Sequence, residues 1–318
     1  MKHIVTTLLL VFSLLTGSAQ NALDITQLQT PALDETSGLL FYNNSIITHT
    51  DSGGKAELYE INARTGAITK TVRITNASNI DWEDIAQDSS YIYIGDIGNN
   101  SGNRTDLKIY KISKHDFNTT NGNVTAEIIS YSYADQLDFS RRPNNTNWDA
   151  EALIYYGNQL LVFTKNWLDN KTNVYSIPKN SGTHSAVLVC SYNTNGLITG
   201  ADISFDESVI YLTGYSTSEA PFVYTIHNIP KNSLDIFSGN ISDKKADIVS
   251  LGHQIEGIAL FEITPTKHRL YLSNEKFSTS LGPIKIKVPA KLLLIEIDAQ
   301  PVNPSDPDTT SDIPIKQR

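Results

Sequence analysis

Residues 81–104 read DWEDIAQDSSYIYIGDIGNNSGNR. Two carboxylates, Glu83 and Asp84, open a short apolar run that predicts a strand. Asp88-Ser89-Ser90 then predicts a tight turn, because Asp and Ser side chains bond back to nearby backbone amides. A second predicted strand, Tyr91 to Gly95, delivers another carboxylate, Asp96, into a Gly/Asn loop that ends at Arg104. This order of acid, strand, turn, strand, acid and loop recurs along the chain.

Similar starts occur at Ser37-Gly38-Leu39, Glu83-Asp84-Ile85-Ala86, Glu151-Ala152-Leu153, Ala201-Asp202-Ile203-Ser204 and Glu256-Gly257-Ile258-Ala259. Each leads into a second run (SIITHTD, YIYIGD, QLLVFTK, VIYLTGY, RLYLSNE) and a third (AELYEIN, DLKIYKI, NVYSIP, FVYTIH, KLLLIEID). A fourth run is visible in the first four units. Intervals of 46, 68, 50 and 55 residues between starts suit four-stranded units with variable loops, arranged radially. The fifth unit has no fourth run after Asp298, and the segment from Asp24 to Thr30 is expected to supply it. No amphipathic helix of ordinary length is predicted. The expected fold is all-β, a single β-propeller of five four-stranded blades closed by an N-terminal strand. A six-bladed ring is the alternative.

Residues 1–20 combine Lys2, an apolar run from Ile4 to Leu15 and a small-residue exit at Thr16 to Gln20. They read as a signal peptide, so export to the periplasm or beyond is expected. The apolar run is shorter than the about 20 residues a membrane span needs. No cysteine follows it to carry a lipid. Residues 21–299 form the propeller domain, and residues 300–318, dense in Pro and Asp, a flexible tail. A net charge of −9 argues against a nucleic-acid partner, whose footprint is basic. Cys190 is the single cysteine, which rules out an intrachain disulfide and reads as a buried apolar residue. A monomer is expected.

In a radial β architecture the first strand of each unit lines the centre, and the second ends where the first begins. The starts therefore predict an inner ring of Ser37, Glu83, Glu151, Ala201 and Glu256. The second-strand ends predict an outer ring of Asp51, Asp96, Lys165, Tyr215 and Glu275. Three converging glutamates repel one another unless neutralised. Ca²⁺, which takes flexible oxygen ligation, is the expected cofactor. Zinc is disfavoured by a lone cysteine and histidines without ligand spacing. Arg104, Arg141, Arg142, Lys165 and Lys276 add cations to the same face, which suits a small anionic, phosphorylated ligand. Singly, each reads as a solvated loop charge. Asp51 and Asp96 are candidate bases, or Asx-type turn residues. Trp82 and Trp148 read as packing around the centre, and Trp167 as a rim residue. His49 and His253 neighbour the rings and read as structural.

The elements THTDSGGKAELYEI, DWEDIA, YIGDIGNNSGNR, DAEAL, TGADIS and EGIAL resemble exported bacterial β-propellers of the esterase-like phytase and SdiA-regulated type. The resemblance covers Ser37 to about Asp298 and bears on fold more than on activity. The inner pattern also looks like the channel site of five-bladed calcium-activated nucleotidases. The resemblance implies a calcium held by Ser37, Glu83, Glu151 and Glu256. At the fourth unit Ala201 offers no ligand, and Asp202 or Thr199 stands in. The expected activity is calcium-dependent phosphoester hydrolysis. In that reading Asp51, Asp96, Arg104 and Lys165 are catalytic, and Arg141, Arg142, Tyr215, Glu275 and Lys276 bind substrate. The alternatives are a non-catalytic binding propeller with a structural calcium, and an acid–base lyase or glycosidase acting on an anionic glycan.

Overall fold

Period-two alternation and closely spaced turn residues give an all-β chain. The computed structural model describes residues 23–216, 220–242, 254–264, 267–281 and 284–298. The expected signal peptide (1–20), the expected tail (300–318) and His253 lie outside the described residues. Among the described residues no helix is long and apolar enough to cross a membrane.

Strand β1 (Leu23–Gln27) precedes five groups. The first is β2 (Thr36–Tyr42), β3 (Ser45–Thr50), β4 (Glu57–Ile61) and β5 (Ile68–Ile74). The second is β6 (Trp82–Gln87), β7 (Tyr91–Asp96), β8 (Lys108–Ser113), helix α1 (Lys114–Thr119), β9 (Asn123–Val124) and β10 (Glu127–Tyr133). The third is β11 (Ala150–Tyr156), β12 (Gln159–Thr164), β13 (Thr172–Pro178) and β14 (Gly182–Tyr192). The fourth is β15 (Leu197–Ile203), β16 (Val209–Tyr215), β17 (Pro221–His227) and β18 (Asn240–Ser242). The fifth is β19 (Ile255–Thr264), β20 (Lys267–Asn274), a hairpin of β21 (Phe277–Leu281) and β22 (Ile284–Val288), and β23 (Lys291–Asp298).

Local chemistry sets the turns. Asn43 and Asn44 take positive φ (49° and 58°), as do Gly157 and Asn158 (56° and 63°). Such pairs form the mirror-image turns whose twist matches a hairpin. The predicted turn after β6 forms because Asp88 Oδ1 accepts both the Ser90 and Tyr91 amides at 2.8 Å.

Within each group neighbouring strands run antiparallel. Parallel pairing of β10 with β14 fuses the second and third groups into one eight-stranded sheet. Parallel pairing of β9 with β5 widens the first group to five strands. The fifth group has the order β1-β23-β20-β19, so β1 supplies its outer strand, as expected.

The leading strands touch in cyclic order: β2 packs on β6, β6 on β11, β11 on β15, β15 on β19, and β19 on β2. Apolar clusters fill the spaces between successive groups. Leu40 and Ile47 meet Trp82 and Ile94 between the first two. Tyr93 and Ile109 meet Leu153 and Tyr175 between the next two. Phe163 meets Ile198 and Leu212, and Tyr211 meets Ile258 and Leu272. A last cluster joins Ala259 and Leu292 of the fifth group to Leu39 and Ile46 of the first. Each fully buried Leu, Ile, Val or Phe contributes about 1.5–3 kcal/mol, so such a core is stable without a disulfide. Cys190 is only half-buried.

Every second strand returns beside the start of its first. The pairs Thr36 with Thr50, Trp82 with Asp96, Ala150 with Thr164, and Ile255 with Asn274 show this. One end of the molecule therefore collects all five starts.

Candidate metal centre

The five leading strands share an irregularity at this end. Pairing to the second strand skips one residue between Trp82 and Asp84, Ala150 and Ala152, Ile198 and Gly200, and Ile255 and Gly257, and between Thr36 and Leu39 it sets two residues, Ser37 and Gly38, against one. A β-bulge re-aims the extra residue. The residues so displaced are Ser37, Glu83, Glu151, Thr199 and Glu256, none more than 8% exposed. The fourth member is therefore Thr199, not Ala201 or Asp202. Its hydroxyl donates to Ile255 O at 2.5 Å, much as Ser37 Oγ donates to Glu83 O at 2.6 Å. The Asp202 carboxylate accepts the amides of Ile203 (2.8 Å) and Leu260 (2.7 Å), binding β15 to β19. It is a brace rather than a metal ligand. The likeness of ADIS to EDIA placed it two residues out of register.

The same register corrects the outer ring. The residues that follow Thr50, Asp96, Thr164, Gly214 and Asn274 are Asp51, Ile97, Lys165, Tyr215 and Glu275. Asp96 thus falls one residue short and is fully buried. It accepts from Arg104 Nη2 at 2.9 Å, while Arg104 Nη1 donates to Gly98 O at 2.7 Å and Nε to Asp106 at 3.1 Å. Every face of the guanidinium is used in pinning the Gly/Asn loop. Asp96 and Arg104 are structural partners, not a base and a phosphate ligand. Burial pushes Asp96 above the usual carboxylate range, and Arg104 only partly offsets it. Removing one partner of a buried pair costs about 3–5 kcal/mol. Arg104→Ala is expected to lower stability by an amount of that order in urea unfolding, and adding Asp96→Asn to restore part of it. Equal stability of Arg104→Ala and the native chain would remove this role.

Asp51, Asp81 and Glu83 each place a carboxylate oxygen within 4.8 Å of the others. Gly98 makes room: a Cβ there would lie 2.2 Å from Glu83 Oε1 and 2.5 Å from Asp81 Oδ2. Asp81 stands two residues before Glu83, and Asp149 two before Glu151. Side chains two apart along a strand share a face, a cue that leads to both acids. Asp149 accepts the Asn99 amide at 2.7 Å and Trp167 Nε1 at 2.8 Å. Glu35, two before Ser37, adds its charge to Asp51 and Glu275.

Burial is the largest cause that raises Asp81, Glu83, Glu151, Glu256 and Glu275, and repulsion from neighbouring carboxylates adds to it. Asp81 is pushed up to about 7, with Asp51 and Asp149 as the nearest repelling charges. Glu256 reaches about 7 against the pull of Lys165, and Glu275 about 9 beside Glu256. Glu83 lies well above its ordinary value, burial being followed by repulsion from Glu151 and Asp51. Glu151 does too, although Lys165 opposes the shift.

Lys165 is the cation of this mouth, its Nζ 3.1 Å from Glu151. The ammonium stands 5.1 Å from the Trp167 ring centre and 5.4 Å from that of Tyr215. Burial disfavours its charge, but Glu151 and Glu256 outweigh burial, and the pKa lies well above that of a free lysine.

The other expected ligands stand apart from this cluster. Arg142 pairs with Asp138 on the surface, and Arg141 is exposed. Lys276 pairs with Asp34 at 2.6 Å and is half-exposed. Trp82 is core, its ring centre 5.7 Å from that of His49 in an edge-to-face contact. His49 is buried, and burial pushes its pKa down to about 4, so it is neutral. Trp148 packs on Tyr133 and Tyr175.

Three crowded carboxylates with neither His nor Cys among them form a hard oxygen set suited to Ca²⁺ rather than Zn²⁺. No protein-family model matches the chain, and no curated protein matches it either.

Proposed function

We propose that this chain is an exported five-bladed β-propeller whose channel mouth holds one calcium ion on Asp51, Asp81 and Glu83. Cyclic contact of the five leading strands and the five clusters between groups support the propeller reading. The apolar leader read from residues 1–20 supports export. The observation that carries the metal reading is the Asp51, Asp81 and Glu83 cluster, set in a pocket that only glycine at position 98 leaves open.

A propeller that binds its ligand at this mouth, through the cation, is the function these residues support best. Arg104, Arg142, Lys276 and Lys165 are each paired with a carboxylate, so an anionic ligand would be met chiefly by the metal. Equilibrium dialysis against calcium tests the site. One ion per chain is expected, and Glu83→Gln should weaken binding at least tenfold. Equal binding by Glu83→Gln would refute the assignment.

One observation favours hydrolysis as a second reading. Glu256 and Glu275, held near 7 and 9, are carboxyls able to donate a proton at neutral pH. Calcium would supply a Lewis acid for a phosphoester there. Calcium-dependent turnover of p-nitrophenyl phosphate, lost in Glu275→Gln, would establish it; absence of turnover leaves the binding propeller.

A further inference from the structure

The acids of the mouth outnumber its cations, yet their arrangement is not uniform. In the first and fifth groups the residue after the second strand is a carboxylate, Asp51 or Glu275. The equivalent residue of the third group is Lys165. Its side chain is 7% exposed and crosses toward Glu151, itself 5% exposed, with Glu256 next in electrostatic range. Trp167 and Tyr215 flank the ammonium. The negative faces of such rings attract a desolvated ammonium. Lys165 is therefore held against the Glu151 carboxylate, in the field of Glu256 and beside two aromatic rings, the surroundings expected of a bound cation.

The other half of the mouth differs. Glu83 is 5% exposed and faces Asp51 and Asp81, and no described residue donates a hydrogen bond to its carboxylate. The mouth thus has a half whose cation is part of the chain and a half whose acids face one another.

We infer that Lys165 is a tethered ammonium filling the Glu151–Glu256 half of the mouth, and that it limits the site to a single divalent cation on Asp51, Asp81 and Glu83. Lys165 is a specificity-determining residue in this account, not a ligand for phosphate. The inference rests on the calcium reading above. Without Lys165, Glu151 loses its ion-pair partner and Glu256 the ammonium that opposes its burial, with the charge of Glu275 nearby, so a cation from solution is drawn in to replace the ammonium. With Glu151 neutralised, the ammonium loses its nearest partner and is drawn toward the remaining acids, where it competes with the metal.

Calorimetric titration of the full chain with calcium chloride tests this. The native chain should bind one ion, Lys165→Met two, and the charge-conserving Lys165→Arg one. Glu151→Gln, which keeps the shape and needs no new packing, should bind one ion about tenfold more weakly. One ion with unchanged affinity in Lys165→Met, unchanged affinity in Glu151→Gln, or two ions in the native chain would each overturn the inference. The underlying reading fails differently. No ion in the native chain with one in Lys165→Met would overturn the native calcium site while keeping Lys165 as the occupant. No ion in either would overturn both.

Discussion

Asp84→Ala is expected to unfold the chain or bring it close to unfolding. Asp84 is fully buried among the leading strands. Its Oδ1 accepts the Ile85 amide at 2.8 Å, and its Oδ2 accepts Leu153 N at 2.9 Å and Ala201 N at 3.2 Å. One carboxylate thus satisfies amides on β6, β11 and β15, three strands that share no backbone ladder. Burial raises its pKa well above the ordinary value, and the three amides pull it back only in part. Removing the side chain strands these donors where water does not reach. Each unsatisfied buried group costs about 1–3 kcal/mol. The sum approaches the total stability of an ordinary domain, about 5–15 kcal/mol. Asp84→Asn keeps an acceptor oxygen and should lose roughly half as much. Urea unfolding of both variants measures the difference. A loss under about 1 kcal/mol in Asp84→Ala would show that the three strands are held together by packing alone.

Metal-free protein should lose stability as the pH rises from 6.5 to 9, and calcium should reduce that loss. Asp81 and Glu256, near 7, and Glu275, near 9, retain protons in the fold that the unfolded chain has released. A raised folded pKa gives stability that is complete below the unfolded pKa and is lost progressively as the pH rises to the folded one, so from pH 6.5 to 9 Glu275 carries most of the loss and Asp81 and Glu256 only its beginning. One pKa unit corresponds to about 1.4 kcal/mol. A melting temperature lower by roughly 5–10 °C at pH 9 than at pH 6.5 is expected in chelator. Calcium bound by Asp51, Asp81 and Glu83 favours their ionised forms and offsets their share of the loss, which makes the slope shallower while that of Glu275 remains. His49 acts in the opposite sense, being neutral in the fold down to about pH 4, but it contributes only below its ordinary value of 6.5. The chosen window avoids it. A flat profile in chelator, or an equal slope with calcium, would contradict the charge crowding at the mouth.

The sequence made the repeated starts visible because each leading strand is a short, mostly buried apolar run between polar turns. It also pointed to β1 as the missing strand of the last group, since KLLLIEID had no following partner. Glu83, Glu151 and Glu256 were legible as a set for the same reason. The bulges were not. A bulge changes register by a residue without changing the apolar pattern, so Thr199 was misaligned with Ala201, and Asp96 was placed where Ile97 stands. Asp81 and Asp149 were within reach of a period-two reading, which puts them on the same face as Glu83 and Glu151. The part played by Lys165 was not, because its partner Glu151 and its neighbour Tyr215 come together only through the fold. The β21–β22 hairpin follows Glu275 and Lys276, and the alternation in IKIKV was the cue to it.

The most direct measurement is anomalous diffraction from crystals of the native chain grown with calcium. The account predicts one strong peak bounded by Asp51, Asp81 and Glu83, with oxygen ligands at about 2.3–2.6 Å, and Lys165 still against Glu151. A peak centred between Glu151 and Glu256 with Lys165 displaced, or no peak at the mouth, would contradict it.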